Sequence, residues 1–531
     1  MFSTNIFDFS TVVHFLSCTI LPFGTGSWFI LRIFPPGGLI MFRLLFCFFI
    51  LFSFYVASVQ TAELPPGDHA LTFKSSYDGS DQPYRLFIPQ ISKTESRLPL
   101  LVALHGKWVD ENAWFDYTPV KVYGEKHAYV ISAPYARGDY FYRGPGEQDV
   151  MDIISIVKEK CSIDSSRVYL MGHSMGGWGT WWIGLRNQDT FACLCPMSGY
   201  APEYLLPNAF HTDPYIIHSE DDPIVDISGS RIPASILPEI GVSMRYREEH
   251  GYGHSSKMIG DNLPRLFAWM NNHRRKERPE RIRLVTKTPA KGEAWWVRIL
   301  STIDYPKPSS VTAEFTEPGE LKIETRNVAK FTLDPRKMPF PEEASFQLSI
   351  DEGKLAIQRN DQIVLLSRKE KNGSWETDYK SQSEIPEYKS PVIAELARDS
   401  AEATSLTLMT NAAAKLLCEE TGADLCLFLD DSFAFPGGPV TADAALDLYV
   451  YPEEKLAKFT YSGQDLPSLI TKVPRLFPLE KYDPRLKRLW TVIAPVDLAS
   501  RMDIKSEPLS KDIGEYMFRA LKDRNAFPVE K

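Results

Sequence analysis

Short apolar runs alternate with helix-period patterns from Leu98 to Trp269, which predicts a mainly parallel sheet with crossover helices. The runs Leu98–Leu104, Ala128–Ser132, Arg167–Met171 and Pro214–His218 are each bounded by turn residues, as strands buried on both faces are. Asp149–Lys160 places Val150, Ile153, Ile154 and Val157 at helical spacing, and Leu263–Met270 reads as another amphipathic helix. The charged stretch His273–Arg281 reads as a linker out of this block. From Ile282 the period changes to two: Val311, Ala313 and Phe315 alternate with polar residues, Pro318-Gly319 turns the chain, and Leu321, Ile323 and Thr325 follow. A small all-β module is expected over 282–376, and mixed helix and strand character returns over 391–517.

The start breaks this pattern, because residues 1–62 are mostly apolar. Met41, Phe42 and Arg43 precede the apolar run Leu44–Val56 and the small or polar residues Ala57–Ala62, the layout of a secretory signal peptide cut after Ala62. Residues 1–40 then read as an overcalled start. A membrane anchor is the alternative, for which the run is short. The expectation is export to the periplasm or outside the cell, with a first domain over 63–277 and no stable membrane span after cleavage.

At 531 residues the chain exceeds one ordinary core. A net charge of −9 with 24% charged residues offers no basic footprint for nucleic acid. Of seven cysteines, Cys18 and Cys47 lie in the leader. The rest form no CxxC pair or zinc-spaced Cys/His cluster, so neither a disulfide framework nor a metal or other cofactor is expected. Cys193 and Cys195 read as buried on one strand face.

Candidate chemistry centres on Gly172-His173-Ser174-Met175-Gly176-Gly177, which follows one strand and precedes a helical run through Trp182. The pentapeptide alone is weak; a strand before and a helix after are the context of a nucleophile elbow. A serine hydroxyl needs a base within reach and an acid to orient that base. Asp222, in a carboxylate-rich turn at the end of a strand, is the chosen acid, with Glu220, Asp221 and Asp226 as solvated alternatives. His254, in the loop Gly251-Tyr-Gly-His254, is the chosen base and His250 its rival. Backbone N–H groups of Met175 and of Lys107, in the loop His105-Gly-Lys-Trp108, are the expected oxyanion donors. Tyr135, Arg137 and Tyr142, in an aromatic and basic stretch with Tyr140 and Phe141, either line a substrate pocket or pack as an ordinary loop.

Leu104-His-Gly106, Ala133-Pro-Tyr-Ala-Arg-Gly138, Gly146-Glu-Gln-Asp149 and the two motifs above carry a resemblance that spans Pro65–Arg275. The segment resembles secreted α/β-hydrolases of the polyhydroxybutyrate depolymerase and feruloyl esterase type, and the catalytic domain of prolyl oligopeptidase-like serine peptidases. The resemblance implies an α/β-hydrolase domain with acyl transfer through a covalent acyl-enzyme. Ser219 stands where such relatives often carry glycine. Farther on, Ala394-Glu-Leu-Ala-Arg-Asp399, Pro436-Gly-Gly-Pro-Val-Thr441 and Phe459-Thr-Tyr-Ser-Gly463 resemble the C-terminal domain of 5′-nucleotidases, which in that family recognises the nucleoside. Leu429–Gly438 lacks the expected asparagine and arginine, and no metallophosphatase motif precedes it; Phe433 and Phe435 could stack on a ring. The expected fold is thus an α/β-hydrolase domain, a small all-β module and an α+β C-terminal domain. The expected function is an exported carboxylic-ester hydrolase acting on a small or polymeric ester. A prolyl oligopeptidase-like peptidase and a non-catalytic ligand-binding protein are the alternatives.

Overall fold

In the computed structural model the described residues are 64–385, apart from short stretches within them, together with the backbone of seven strands between 392 and 512. The proposed signal peptide lies outside them, as do Phe433 and Phe435.

The first block is one eight-stranded sheet. Its strands are β1 (Gly67–Lys74), β2 (Asp81–Ile88), β3 (Leu98–Leu104), β4 (Val130–Pro134), β5 (Ile163–His173), β6 (Cys193–Met197), β7 (Tyr215–Ser219) and β8 (Arg245–Glu249). They lie in the order β1-β2-β4-β3-β5-β6-β7-β8. β1 and β2 form an antiparallel hairpin and β2 runs antiparallel to β4, whereas β3 to β8 are parallel throughout. This is the α/β-hydrolase arrangement, with helices filling both faces of the sheet.

Those helices are α1 (Ala113–Tyr117), α2 (Val120–His127), α3 (Pro145–Lys160), α4 (Met175–Arg186), α5 (Ser228–Glu239) and α6 (Ser256–Asn271). Residues of α3, α4 and α5 share one core with Leu100, Val102 and Leu170; residues of α1, α2 and α6 share the other with Leu101, Ala103 and Met171. Alternate residues of one strand therefore enter different cores, and no position in β3 is left for a polar side chain. Cys193 and Cys195 face the second core as free thiols, their Sγ atoms 3.7 Å apart.

β4 starts two residues later than the apolar run suggests. Ala128 takes a left-handed φ of 58° and caps α2, and Tyr129 donates its N–H to the Gly124 carbonyl. α3 starts earlier than its apolar stripe because Pro145 opens it, where a missing N–H costs nothing.

Past α6 the chain enters a β-sandwich over residues 281–380, two five-stranded sheets around a shared core that includes Trp296, Phe315, Phe331, Phe346 and Val364. Its first strand, β9 (Arg281–Thr286), docks on the hydrolase block. The Asn208 amide donates to the carbonyls of Leu185 and Val285 at 2.8 and 2.9 Å and accepts the Val285 N–H at 2.7 Å; Gln188 donates to the Arg283 carbonyl at 2.9 Å. Of the C-terminal region, two strands pair at Val392–Glu395 and Pro439–Thr441, and five others form one mixed sheet. No helix among the described residues is long and apolar enough to cross a membrane.

Candidate active site

Ser174 sits between β5 and α4, at the carboxyl edge of the parallel strands where such sheets bind ligands. Its φ of 60° and ψ of −122° cost a non-glycine residue energy, and the surroundings hold it there. The Ser174 N–H donates to the Met197 carbonyl at 2.9 Å, and its own carbonyl accepts from Trp178 at 3.0 Å. The neighbouring glycines make the turn possible. A Cβ on Gly172 would lie 2.1 Å from the Gly176 carbonyl oxygen, one on Gly176 2.1 Å from that of Leu104, and one on Gly177 2.2 Å from that of Met197.

Met175 opens α4, where the first N–H groups have no intrahelical acceptor and the helix dipole favours negative charge. The loop after β3 reaches the same place: a Cβ on Gly106 would lie 3.6 Å from that of Ser174. The Trp108 N–H is engaged by Asp139 at 2.8 Å, and the Lys107 ammonium lies 5.3 Å from the Trp108 ring centroid and 5.7 Å from that of Phe141. Both rings thus lie within cation–π range of the Lys107 ammonium.

The structure brings Asp222 and His254 together. His254 Nδ1 donates to Asp222 Oδ2 at 2.6 Å, and the Asp222 side chain has 0% exposure. Burial alone would raise the Asp222 pKa. Hydrogen bonds from His218 and His254 and from the N–H groups of Val225 and Ile224 outweigh it and hold the carboxyl well below the usual range. An ionised carboxylate only accepts, so Nδ1 of His254 carries the proton and Nε2 keeps the lone pair a general base needs. The His254 ring lies 4.5 Å from that of His173, the residue before Ser174.

The rivals have other partners. His250 is 67% exposed and pairs with Glu220 at 2.7 Å, which raises its pKa. Asp221 is exposed and accepts from the Ser219 hydroxyl at 2.5 Å and from the Gly251 N–H at 3.1 Å. Asp226 takes the Ser228 N–H at 2.8 Å. Ser219, the departure from the relatives' glycine, also accepts the Tyr252 N–H at 3.3 Å, tying the acid loop to the base loop.

The expected pocket residues Tyr135, Arg137 and Tyr142 all have partners within the fold. Tyr142 is fully buried, and its hydroxyl donates to the His105 carbonyl at 2.8 Å. Arg137 is spent on Asp149 at 2.6 Å and Asp78 at 2.8 Å. Tyr135 lies parallel to the His105 ring, with centroids 6.3 Å apart, and its carbonyl faces His105 Nε2 at 2.9 Å. Tyr135 and Tyr142 thus pack against the loop after β3, whereas Arg137 ties the β1–β2 turn to α3. Trp108, directly after His105-Gly-Lys107, is 78% exposed with a φ of 64°. Among the described residues no three His, Cys, Asp or Glu side chains converge to hold a metal ion.

His173 is buried with its Nε2 unpartnered, and its pKa is pushed down to about 3 by burial and then by His254. Against an ordinary value of 6.5, the unfolded chain binds more protons between those pH values. The ring's contribution to stability is complete above pH 6.5 and is lost as pH falls toward 3. His173→Leu is expected to flatten the fall in unfolding free energy, read from urea titrations, between about pH 7 and pH 4 by at most about 1.4 kcal/mol per pH unit. An unchanged slope would assign the loss to depressed carboxylates such as Asp78 and Asp164.

Comparison with known proteins gives one consistent type. The prolyl oligopeptidase family profile matches residues 137–205, which contain the elbow. Feruloyl esterase B of Thermothelomyces thermophilus is 28% identical over 128 residues, covering 22% of this chain and 43% of that protein. The chain is similar to serine hydrolases. It spans less than half the length of that curated relative. Among solved structures, the fluorophosphonate-binding serine hydrolase F of Staphylococcus aureus matches with a TM-score of 0.36 at 20% identity, covering 39% of this chain and 100% of the other. A puromycin-hydrolysing peptidase of Mycobacterium tuberculosis matches with a TM-score of 0.32 at 15% identity, over 38% of this chain and 39% of the other.

Proposed function

We propose that the chain is an exported serine hydrolase that cleaves a carboxylic ester through an acyl-enzyme. The observation that carries this reading is the Asp222–His254 pair, at 2.6 Å, whose imidazole lies 4.5 Å from the ring of His173, the residue before a serine held in a strained strand-to-helix turn. His254 Nε2 takes the hydroxyl proton as Ser174 Oγ attacks the ester carbonyl carbon, and the oxyanion receives the N–H groups of Met175 and Lys107. The tetrahedral species collapses, and the alcohol leaves with the proton from His254. A water then gives a proton to His254 and attacks the acyl-enzyme, which releases the acid and restores Ser174. Asp222 keeps its charge throughout. Each oxyanion donor is worth about 10²- to 10³-fold in kcat.

An ester is preferred to a peptide because the matched curated relative is a feruloyl esterase, 28% identical over 128 residues. Export rests on the segment Met41–Ala62. One set of assays on the native protein tests all of this. Its first residue should be Glu63, and p-nitrophenyl and feruloyl esters should be turned over far faster than aminoacyl-proline substrates. Retained leader residues would remove export, and peptide cleavage without ester cleavage would make the protein a peptidase. Folded protein inert toward both would fit the ligand-binding alternative.

A further inference from the structure

The segment Phe141–Glu147, which runs from the loop after β4 into the first turn of α3, lies along α4 and is keyed to it turn by turn. Phe141 meets Trp178 edge-on with ring centroids 6.0 Å apart. The Tyr142 ring lies over Gly179, where a Cβ would come within 2.4 Å of it. The Arg143 guanidinium lies 4.4 Å from the ring centroids of both Trp178 and Trp182, and Arg186 Nε is 3.0 Å from Glu147. Residues 178, 182 and 186 follow one another at i,i+4 spacing, so the segment tracks one stripe of the helix. Its backbone is strained: φ is 54° at Phe141 and 56° at Tyr142, where large side chains are rare. Such a conformation persists only where its surroundings over-determine it.

Both ends of this strap lead somewhere. At one end the Tyr142 hydroxyl holds the His105 carbonyl at 2.8 Å. Fixing that carbonyl fixes a rigid peptide plane in the loop that carries Gly106 past Ser174 and presents the Lys107 N–H. At the other end Glu147, 2% exposed, is held by Arg186, by the Asn187 amide at 2.9 Å and by Lys291 Nζ at 2.9 Å. Lys291 belongs to the β-sandwich. Losing one partner of such a buried pair leaves charge uncompensated, a large penalty that local rearrangement relieves.

We propose that Phe141–Glu147 positions the oxyanion loop, with Tyr142 setting the loop and Lys291 of the β-sandwich clamping the strap's far end. The β-sandwich is thereby part of the support of the active site. This inference rests on Ser174 being the nucleophile.

The test uses the full chain carrying Tyr142→Phe, Lys291→Met, both together, and Lys291→Arg. Tyr142→Phe should lower kcat for ester hydrolysis about tenfold with KM changed less than about twofold, since an oxyanion donor acts on the transition state. Lys291→Met should lower kcat several-fold in the same way, and Lys291→Arg should retain most of it. The double variant should fall by less than the product of the single effects, as coupled sites do. The rate of fluorophosphonate labelling should fall in step with kcat. Unchanged kcat in the Tyr142 variant, a loss carried by KM, or multiplicative effects in the double variant would overturn the proposal. Loss of melting temperature without loss of kcat would do the same and leave the segment purely structural. Wild-type protein with neither turnover nor labelling would instead overturn the reading of Ser174.

Discussion

His254→Ala is expected to lower kcat for ester hydrolysis by about 10⁴- to 10⁶-fold, and His250→Ala to change it by less than about twofold. The two rings lie four residues apart in one loop, so the contrast comes from their surroundings. His254 donates to a carboxylate that has no solvent contact and is held ionised by four donors. In the proposed mechanism that bond fixes the tautomer and stabilises the imidazolium that would form as Ser174 gives up its proton. The partner of His250 is Glu220, an exposed carboxylate, and solvent screens such a pair until little is left of it. Steady-state rates on one p-nitrophenyl ester, with circular dichroism to show that each variant is folded, decide the matter. Equal losses in both variants, or a larger one at His250, would reverse the assignment.

The elbow was the most legible part of the site. Its glycines, its strand and its helix are adjacent in sequence, although only the clash of Gly172 with Gly176 is local: Gly176 is excluded from a side chain by Leu104 and Gly177 by Met197. The buried strands were legible for a related reason: a strand packed on both faces needs an unbroken apolar run, as in β3. β8 gives no such signal, because Arg245-Tyr-Arg-Glu-Glu249 is an edge strand with charged side chains beside solvent. The hairpin β1–β2 was readable in principle from Leu71 and Phe73 and from Tyr84, Leu86 and Ile88 at period two.

The acid was harder. Four carboxylates crowd residues 220–226, and what sets Asp222 apart is the pair of N–H groups of Ile224 and Val225 and the two imidazoles that converge on it, one of them from a loop 32 residues away. The stretch Tyr135–Tyr142 reads as a polar, aromatic loop. Its burial depends on partners far along the chain, in α4 and in the β3 loop, and no local pattern encodes them. Arg137 shows the same limit: it answers Asp78 and Asp149, one from the β1–β2 turn and one from α3.

Catalysis in this account runs through one oxygen atom. In the proposed mechanism Ser174 Oγ is the hydroxyl on which His254 and the N–H groups of Met175 and Lys107 act, so a fluorophosphonate should react there far faster than at any other serine. The adduct is a phosphonyl ester of Oγ formed with loss of fluoride. Incubating folded protein with the probe and mapping the modified peptide by mass spectrometry reads it directly. The expected result is one adduct, on Ser174, absent in Ser174→Ala and slowed by several orders of magnitude in His254→Ala. Folded wild-type protein that stays unlabelled, or a Ser174→Ala variant labelled as fast as the wild type, would contradict it.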